Sequence, residues 1–406
     1  MYFFTSITVN YIPKARIVAT TLKQCDPDAI FILALSDNLP ADFNKDTEPF
    51  DEILFTDELP IFDNPKSFFF RHNITEICTA VKPGCALHIM DKYSADKVCY
   101  LDPDIAVFSK LSEVEESLDT YSMVFTPHTT IPEEKENYIV GNEILFLKRG
   151  TNNLGFFAVK NNDEGRSFLS WWNKRVMMFC LDDDCTMKEL LEEHSLMGLF
   201  TDQKWIDLVP SFFDDYLILK HPGYNVSTWN LSHRIITKSE SGDYYVNGQP
   251  LRFFHFSGVD SGAHTAVLNQ LVEGYPKTAL TLELSKWYLN QEEKCGQSTF
   301  KNMEWKYARY SNGELIPKIH RKIMLVRRDT FKYFDDPFEI QGNFCYYNWM
   351  IGEYGEYIEQ VTGEHIEKTH CRDSTFVRGL KKIVKFFVKE DCILYMKLKK
   401  IWHTIK

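Results

Sequence analysis

The sequence has no stretch of about 20 apolar residues, so no membrane-spanning helix is expected. Its ten cysteines are scattered; Cys180 and Cys185 are the nearest pair, and neither a Cys-x-x-Cys nor a zinc-type Cys/His spacing occurs. This excludes a thiolate metal site and a disulfide-stapled scaffold, and fits reduced thiols in a cytoplasm. No glycine lies between Thr8 and Lys14, just after the first strand-like run. Neither a Gly-x-Gly-x-x-Gly dinucleotide loop nor a Walker Gly-Lys-Ser/Thr loop is present, which disfavours Rossmann dehydrogenases and P-loop kinases. Met1 leads straight into YFFTSITV without a basic segment, so no secretory leader is expected.

Positive charge is short over most of the chain. The total is −11, yet nine Lys and Arg face only Glu390 and Asp391 from Arg378 to Lys406, about +7. The rest therefore carries −18, which argues against nucleic acid as a partner. Hydrophobic and charged contents of 44% and 25% are those of an ordinary globular protein. Aromatic residues make up 15% and serve either as core filling or as stacking surface.

The first half alternates strand and helix patterns. Strands are expected at Tyr2–Val9, Ile30–Leu35, Ile53–Phe55 and Val98–Leu101. Helices are expected at 13–24 and 74–81, the second stopped by Pro83. Such alternation builds βαβ units and a mostly parallel sheet flanked by helices. Further strands are expected at 153–159 and 252–258, and helices at 168–178, 285–290 and 305–309. No internal repeat is present.

At the end of the 98–101 strand stand Asp102 and Asp104, separated by Pro103. Ligands of open α/β sheets bind beyond the carboxyl ends of strands. Two carboxylates aimed at one point repel unless a cation lies between them. Hard oxygen donors suit Mg²⁺ or Mn²⁺, which in turn hold phosphate oxygens. A solvated acidic turn is the plainer alternative for an isolated Asp-x-Asp, so its context decides. The Asp-x-Asp-x-Thr/Val pattern of haloacid dehalogenase phosphatases is broken by Ala106.

The context holds further polar groups. Gly155 interrupts the 153–159 strand, the mark of a bulge or of a close approach. Asp202 and Gln203 lie at an expected helix start, where an N-cap would be the plain explanation. The loop from His221 to Asn230 mixes hydrogen-bonding and aromatic residues, a combination suited to sugar recognition; Asn225 and Trp229 are its candidate acceptor contacts. His255 sits in a strand of bulky residues ending at Gly258.

In this order, over about residues 1 to 265, these signals resemble GT-A glycosyltransferases of the retaining, family 8-like type, close to those of bacterial surface-polysaccharide synthesis. The resemblance implies a mixed, mostly parallel GT-A α/β sheet with a C-terminal helical extension. It implies that Asn10 and Tyr11 hold the nucleotide base, that Lys82 contacts the donor, and that Asp102 and Asp104 bind Mn²⁺ or Mg²⁺ with His255 as third ligand. It places Asn153, Gly155 and Gly258 at the donor, and Asp202 and Gln203 beneath the anomeric carbon. Val259-Asp260-Ser261-Gly262 stands where the family often carries Lys-Pro-Trp, so the diphosphate charge would fall to the metal, Lys82, His264 or an arginine.

The implied activity is metal-dependent transfer of a sugar from a nucleotide diphosphate sugar, a UDP-sugar, to a glycan or lipid-linked acceptor, with retention. A sugar nucleotidyltransferase and a non-catalytic carbohydrate-binding protein on the same fold are the other readings. The expected domains are a catalytic 1–270, an accessory 271–376 and a basic amphipathic tail 377–406. That tail suits either peripheral contact with the inner face of the cytoplasmic membrane or packing of its apolar stripe onto the acidic body.

Overall fold

The computed structural model describes residues 1–182, 187–259, 262, 279–341 and 345–363. The expected basic tail, and His264, lie outside the described residues. The chain forms two compact units. The first comprises Met1–Ile61, Ile74–Asp183 and Gly198–Trp305; the second comprises the described parts of Phe62–Asn73, Asp184–Met197 and Lys306–Lys406.

The first unit is built on a seven-stranded mixed sheet. Its strands are β1 (Tyr2–Ile7), β2 (Ile30–Leu35), β3 (Glu52–Phe55), β4 (Lys97–Leu101), β6 (Met123–Pro127), β7 (Asn152–Lys160) and β8 (Tyr216–Ile218). They lie in the order β3-β2-β1-β4-β7-β6-β8. Only β7 runs against its neighbours; all other adjacent pairs are parallel. Its first eight residues are buried, as a central strand covered on both faces requires. A short β5 (Ile105–Val107) pairs antiparallel with β12 (Phe253–His255). Between β8 and β12 a small antiparallel sheet comprises β9 (Ile236–Lys238), β10 (Tyr244–Val246) and β11 (Gln249–Pro250).

Helices cover this sheet. The Ile12–Cys25 helix begins with Pro13 in its first turn, where the missing N–H costs no hydrogen bond. Its buried face packs with β1, β2 and β5 residues into one apolar core. Pro83 ends one helix, as expected, but it also opens the next, Lys82–Tyr93, for the same reason. Trp305–Arg309 is not a helix: turns and a bridge between Arg309 and Leu315 replace it. The expected 285–290 helix is longer, Ala279–Lys294.

The second unit holds the Pro65–Phe70, Lys318–Val326 and Tyr346–Thr362 helices. Phe70 packs edge-on against Phe338 and Tyr346, each 5.1 Å between centroids. Arg321 Nη1 caps the Phe70 carbonyl at 3.0 Å. Much of the aromatic content is thus core filling. All seven described cysteines are free thiols. No helix among the described residues is long and apolar enough to cross a membrane.

Candidate active site

Three strand ends meet at the carboxyl edge of β4. Antiparallel pairing of β4 with β7 sets Leu101 opposite Phe156, and the next step joins Asp102 N to Gly155 O at 2.8 Å. The chain then turns through Pro103 into β5. Pairing of β5 with β12 sets His255 opposite Ile105, and Phe256 N donates to Asp104 O at 2.8 Å. Two registers therefore carry residues distant in sequence to one point. One ligand atom from each of Asp102, Asp104 and His255 lies within 4.8 Å of the others. His255 Nε2 is 2.9 Å from Asp104 Oδ1 and 3.7 Å from Asp102 Oδ2.

The groups around this cluster hold it in shape. Tyr100 is fixed by rings: it stacks on Phe157 at 5.4 Å and meets Phe4 edge-on at 5.0 Å. Its hydroxyl donates to Asp102 Oδ1 at 2.6 Å. His255 Nδ1 faces Asn225 Oδ1 at 3.3 Å, and Asn225 is itself anchored through Thr126 at 3.2 Å. Asn225 has φ of +50°, a left-handed conformation that asparagine tolerates better than most residues. Gly155 leaves the central space open: a Cβ there would lie 2.5 Å from His255 Cε1 and 2.8 Å from Asp102 Oδ2.

Lys82 bridges Asp102 to the next pair of candidates. Its ammonium, 2% exposed, lies 3.5 Å from Asp102 Oδ1 and 3.2 Å from Asp202 Oδ2, and donates to Leu154 O at 2.9 Å. Gln203 fastens the start of β7 to the preceding turn. Its Oε1 accepts from Leu154 N at 3.0 Å, and its Nε2 donates to Arg149 O at 3.1 Å. Trp172 Nε1 holds the Asp202 carbonyl at 3.1 Å, so that tryptophan does more than fill the core. Asn153 Oδ1 accepts from Gly155 N at 3.1 Å, and its Nδ2 faces His128 Nε2 at 3.3 Å.

Charge follows this geometry. Burial by itself would raise the Asp104 carboxyl, but the charge and hydrogen bond of His255 overcome it and set the group at about 2. Burial would lower His255; Asp104 and Asp102 reverse that and raise it. Lys82 likewise resists burial through Asp102 and Asp202 and is raised. Asp202 is pushed up because burial and the Asp102 charge outweigh its bond to Lys82. His128, buried and stacked on Phe146 at 4.5 Å, is held down at about 4, chiefly by burial.

The donor set fits a divalent ion: two carboxylates, one imidazole, an outer partner on the second ring nitrogen and an open glycine cradle. Asp102, Asp104, His255, Gly155, Lys82, Asp202, Gln203 and Asn153 form one bonded neighbourhood. Asn225 stands behind His255, fully buried, rather than on an open sugar-facing surface. Trp229 meets the His255 ring edge-on at 5.2 Å. Gly258 follows β12 in a left-handed turn, φ +73°. Asn10 and Tyr11 stand after β1; Asn10 Oδ1 accepts from Thr8 Oγ1 at 2.6 Å, and Lys14 Nζ lies 4.6 Å from the centre of the Tyr11 ring. Sequence reading missed Tyr100 and His128. Tyr100 was legible as the residue two before Asp102, on the same side of a strand; His128 carried no local signal.

No family model matches the chain. An uncharacterized Bacillus subtilis (strain 168) protein, YfnD, is 24% identical over 261 residues, 63% of this chain and 77% of that protein. Among solved structures the chain is similar to glycosyltransferases. The galactosyltransferase LgtC, solved with donor and acceptor sugar analogs, is 15% identical over 72% of this chain and 96% of its own, at a TM-score of 0.41. GlyE of Streptococcus pneumoniae TIGR4 is 14% identical over 76% and 66%, at 0.39. Mouse xyloside xylosyltransferase 1 is 12% identical over 63% and 96%, at 0.34.

Proposed function

We propose that the protein is a divalent-metal-dependent glycosyltransferase that moves a sugar from a nucleotide diphosphate sugar, a UDP-sugar, to a glycan or lipid-linked acceptor with retention of anomeric configuration. The carrying observation is the convergence of Asp102, Asp104 and His255 beside the Lys82–Asp202 ion pair. Mn²⁺ or Mg²⁺ held by those three side chains would supply Lewis-acid neutralisation of the leaving diphosphate. Tyr100 and Asn225 keep two of the ligands oriented before the ion arrives. Lys82 adds fixed positive charge where negative charge develops.

The Gln203 oxygen keeps one lone pair beyond its bond to Leu154, which would serve an oxocarbenium-like centre. Asp202 hydrogen-bonds sugar hydroxyls. The acceptor oxygen bonds to the anomeric carbon on the face the diphosphate leaves, and its proton passes to the departing phosphate oxygen. Asn10 and Tyr11 hold the base, and Trp229 borders the acceptor. A role in bacterial surface polysaccharide synthesis would put the enzyme in the cytoplasm, at the inner membrane face where a lipid-linked acceptor meets its donor.

The test is release of nucleoside diphosphate from a panel of nucleotide sugars, with and without Mn²⁺. Turnover should require the ion and vanish in Asp104→Asn. Wild-type-like turnover in EDTA would falsify the mechanism, and an inverted product, read by NMR, would remove the retaining assignment.

A further inference from the structure

Between β6 and β7 the chain forms a helical run of unusual surface character. Glu136–Tyr138 is α-helical, Ile139–Glu143 is a π turn, and Ile144–Arg149 is α-helical again. Val140, Ile144 and Leu147 follow at helical spacing, yet they are 55%, 40% and 68% exposed. Phe146 alone of the run is buried. A helix folded for a globular core turns such a stripe inward, and π turns within helices occur frequently at functional sites.

This face is tied to the catalytic groups. Arg149 O accepts from Gln203 Nε2, and Leu147 O accepts from Lys204 Nζ at 2.6 Å. The adjoining 204–212 segment exposes Leu208 and Phe212 as well, at 39% and 56%. The last turn, 144–149, carries the exposed cations Lys148 and Arg149 and no acid. Of the two acids on the run, Glu143 is turned onto its own chain, accepting from Glu133 N at 2.7 Å.

We propose that the Val140–Ile144–Leu147 face docks on an anionic lipid surface. Charge decides among the occupants. In a second copy, a two-fold contact centred on Leu147 would bring Lys148 and Arg149 against themselves. The chain's own end, at about +7 from Arg378 to Lys406, offers Lys148 and Arg149 no net opposite charge. A lipid surface meets both features at once: the apolar side chains enter the acyl boundary, and the cations lie among anionic headgroups. The docking stands on this face alone. Its consequence, that the Gln203 side of the site opens toward a lipid-linked acceptor, rests on the proposed function.

The experiment is flotation of the full chain with vesicles of phosphatidylcholine alone or mixed with phosphatidylglycerol. Wild type should float with the mixed vesicles. The triple variant Val140→Ser, Ile144→Ser, Leu147→Ser should float several-fold less, and Lys148→Glu should lose on the order of tenfold on mixed vesicles only. Both should keep metal-dependent release of nucleoside diphosphate in solution. Equal flotation of wild type and the triple variant, no flotation of wild type, or a wild-type dimer that the triple variant dissolves would each overturn the docking. Loss of docking with metal-dependent turnover intact leaves the proposed function standing; metal-independent turnover strikes the function and not the docking.

Discussion

Gly155→Ala tests the candidate metal site. The strand backbone at 155 places no left-handed demand on the residue, so alanine meets only a contact problem. Its Cβ would stand 2.5 Å from His255 Cε1 and 2.8 Å from Asp102 Oδ2, against about 3.4 Å for ordinary contact. The two ligands must separate from it by about 0.9 and 0.6 Å. Neither yields freely: His255 is held by Asn225 and Asp104, and Asp102 by Tyr100. Metal–ligand distances tolerate about 0.2 Å, so the displacement exceeds the tolerance at least about threefold. Overpacking costs the fold about 1–3 kcal/mol. Mn²⁺ affinity should fall by on the order of 10–100-fold, the loss typical when support of a ligand is removed. Calorimetric titration with Mn²⁺, run beside thermal melts, reads both quantities. Gly141→Ala, whose Cβ would meet nothing within 4 Å, is the control and should bind as wild type. A Gly155→Ala protein with wild-type Mn²⁺ affinity would refute the placement of the ion against this strand.

Gln203→Ala should lower kcat with little change in donor affinity, as a transition-state contact does, and should cost about 1–3 kcal/mol of stability by leaving Leu154 N unpaired; an unchanged kcat removes Gln203 from the chemistry. Lys82→Met should cost about 3–5 kcal/mol in denaturant unfolding, because it strips the cation from between Asp102 and buried Asp202; a loss below about 1 kcal/mol would show that the pair is not sustained as drawn. His128 is held at about 4 in the folded chain against 6.5 unfolded, so between these values the unfolded state binds the extra proton and stability falls as pH falls. The full window is worth on the order of 3 kcal/mol. His128→Gln should flatten the pH slope of unfolding between 6.5 and 4, and a slope identical to wild type would refute the assignment.

The amino-acid sequence by itself determined what depends on local period and on short-range geometry. A six-residue apolar run such as IFILAL, short for a helix, reads as a buried strand, and Ile30–Leu35 is one. Asp102 and Asp104 flank a proline at a strand end, so their common orientation is a local property. Pro83 marked a helix boundary, but whether the chain stops or restarts there depends on what packs next, and a second helix follows. Trp305–Arg309 has helix-compatible residues, and tertiary contacts made it turns instead.

What only the tertiary structure decided is long-range pairing. The family resemblance names His255 as a ligand, but it lies 151 residues from Asp104, and the β5–β12 register is what brings the two together. Asn225 looked like a sugar contact because polar loop residues usually face solvent. Its fully buried place behind His255 arises because a second imidazole nitrogen, once enclosed, must find a partner. Reversal of β7 likewise leaves no periodic trace, since a strand buried on both faces reads the same in either direction. Yet that reversal brings Gly155 to Asp102 and keeps the space between Asp102 and His255 open.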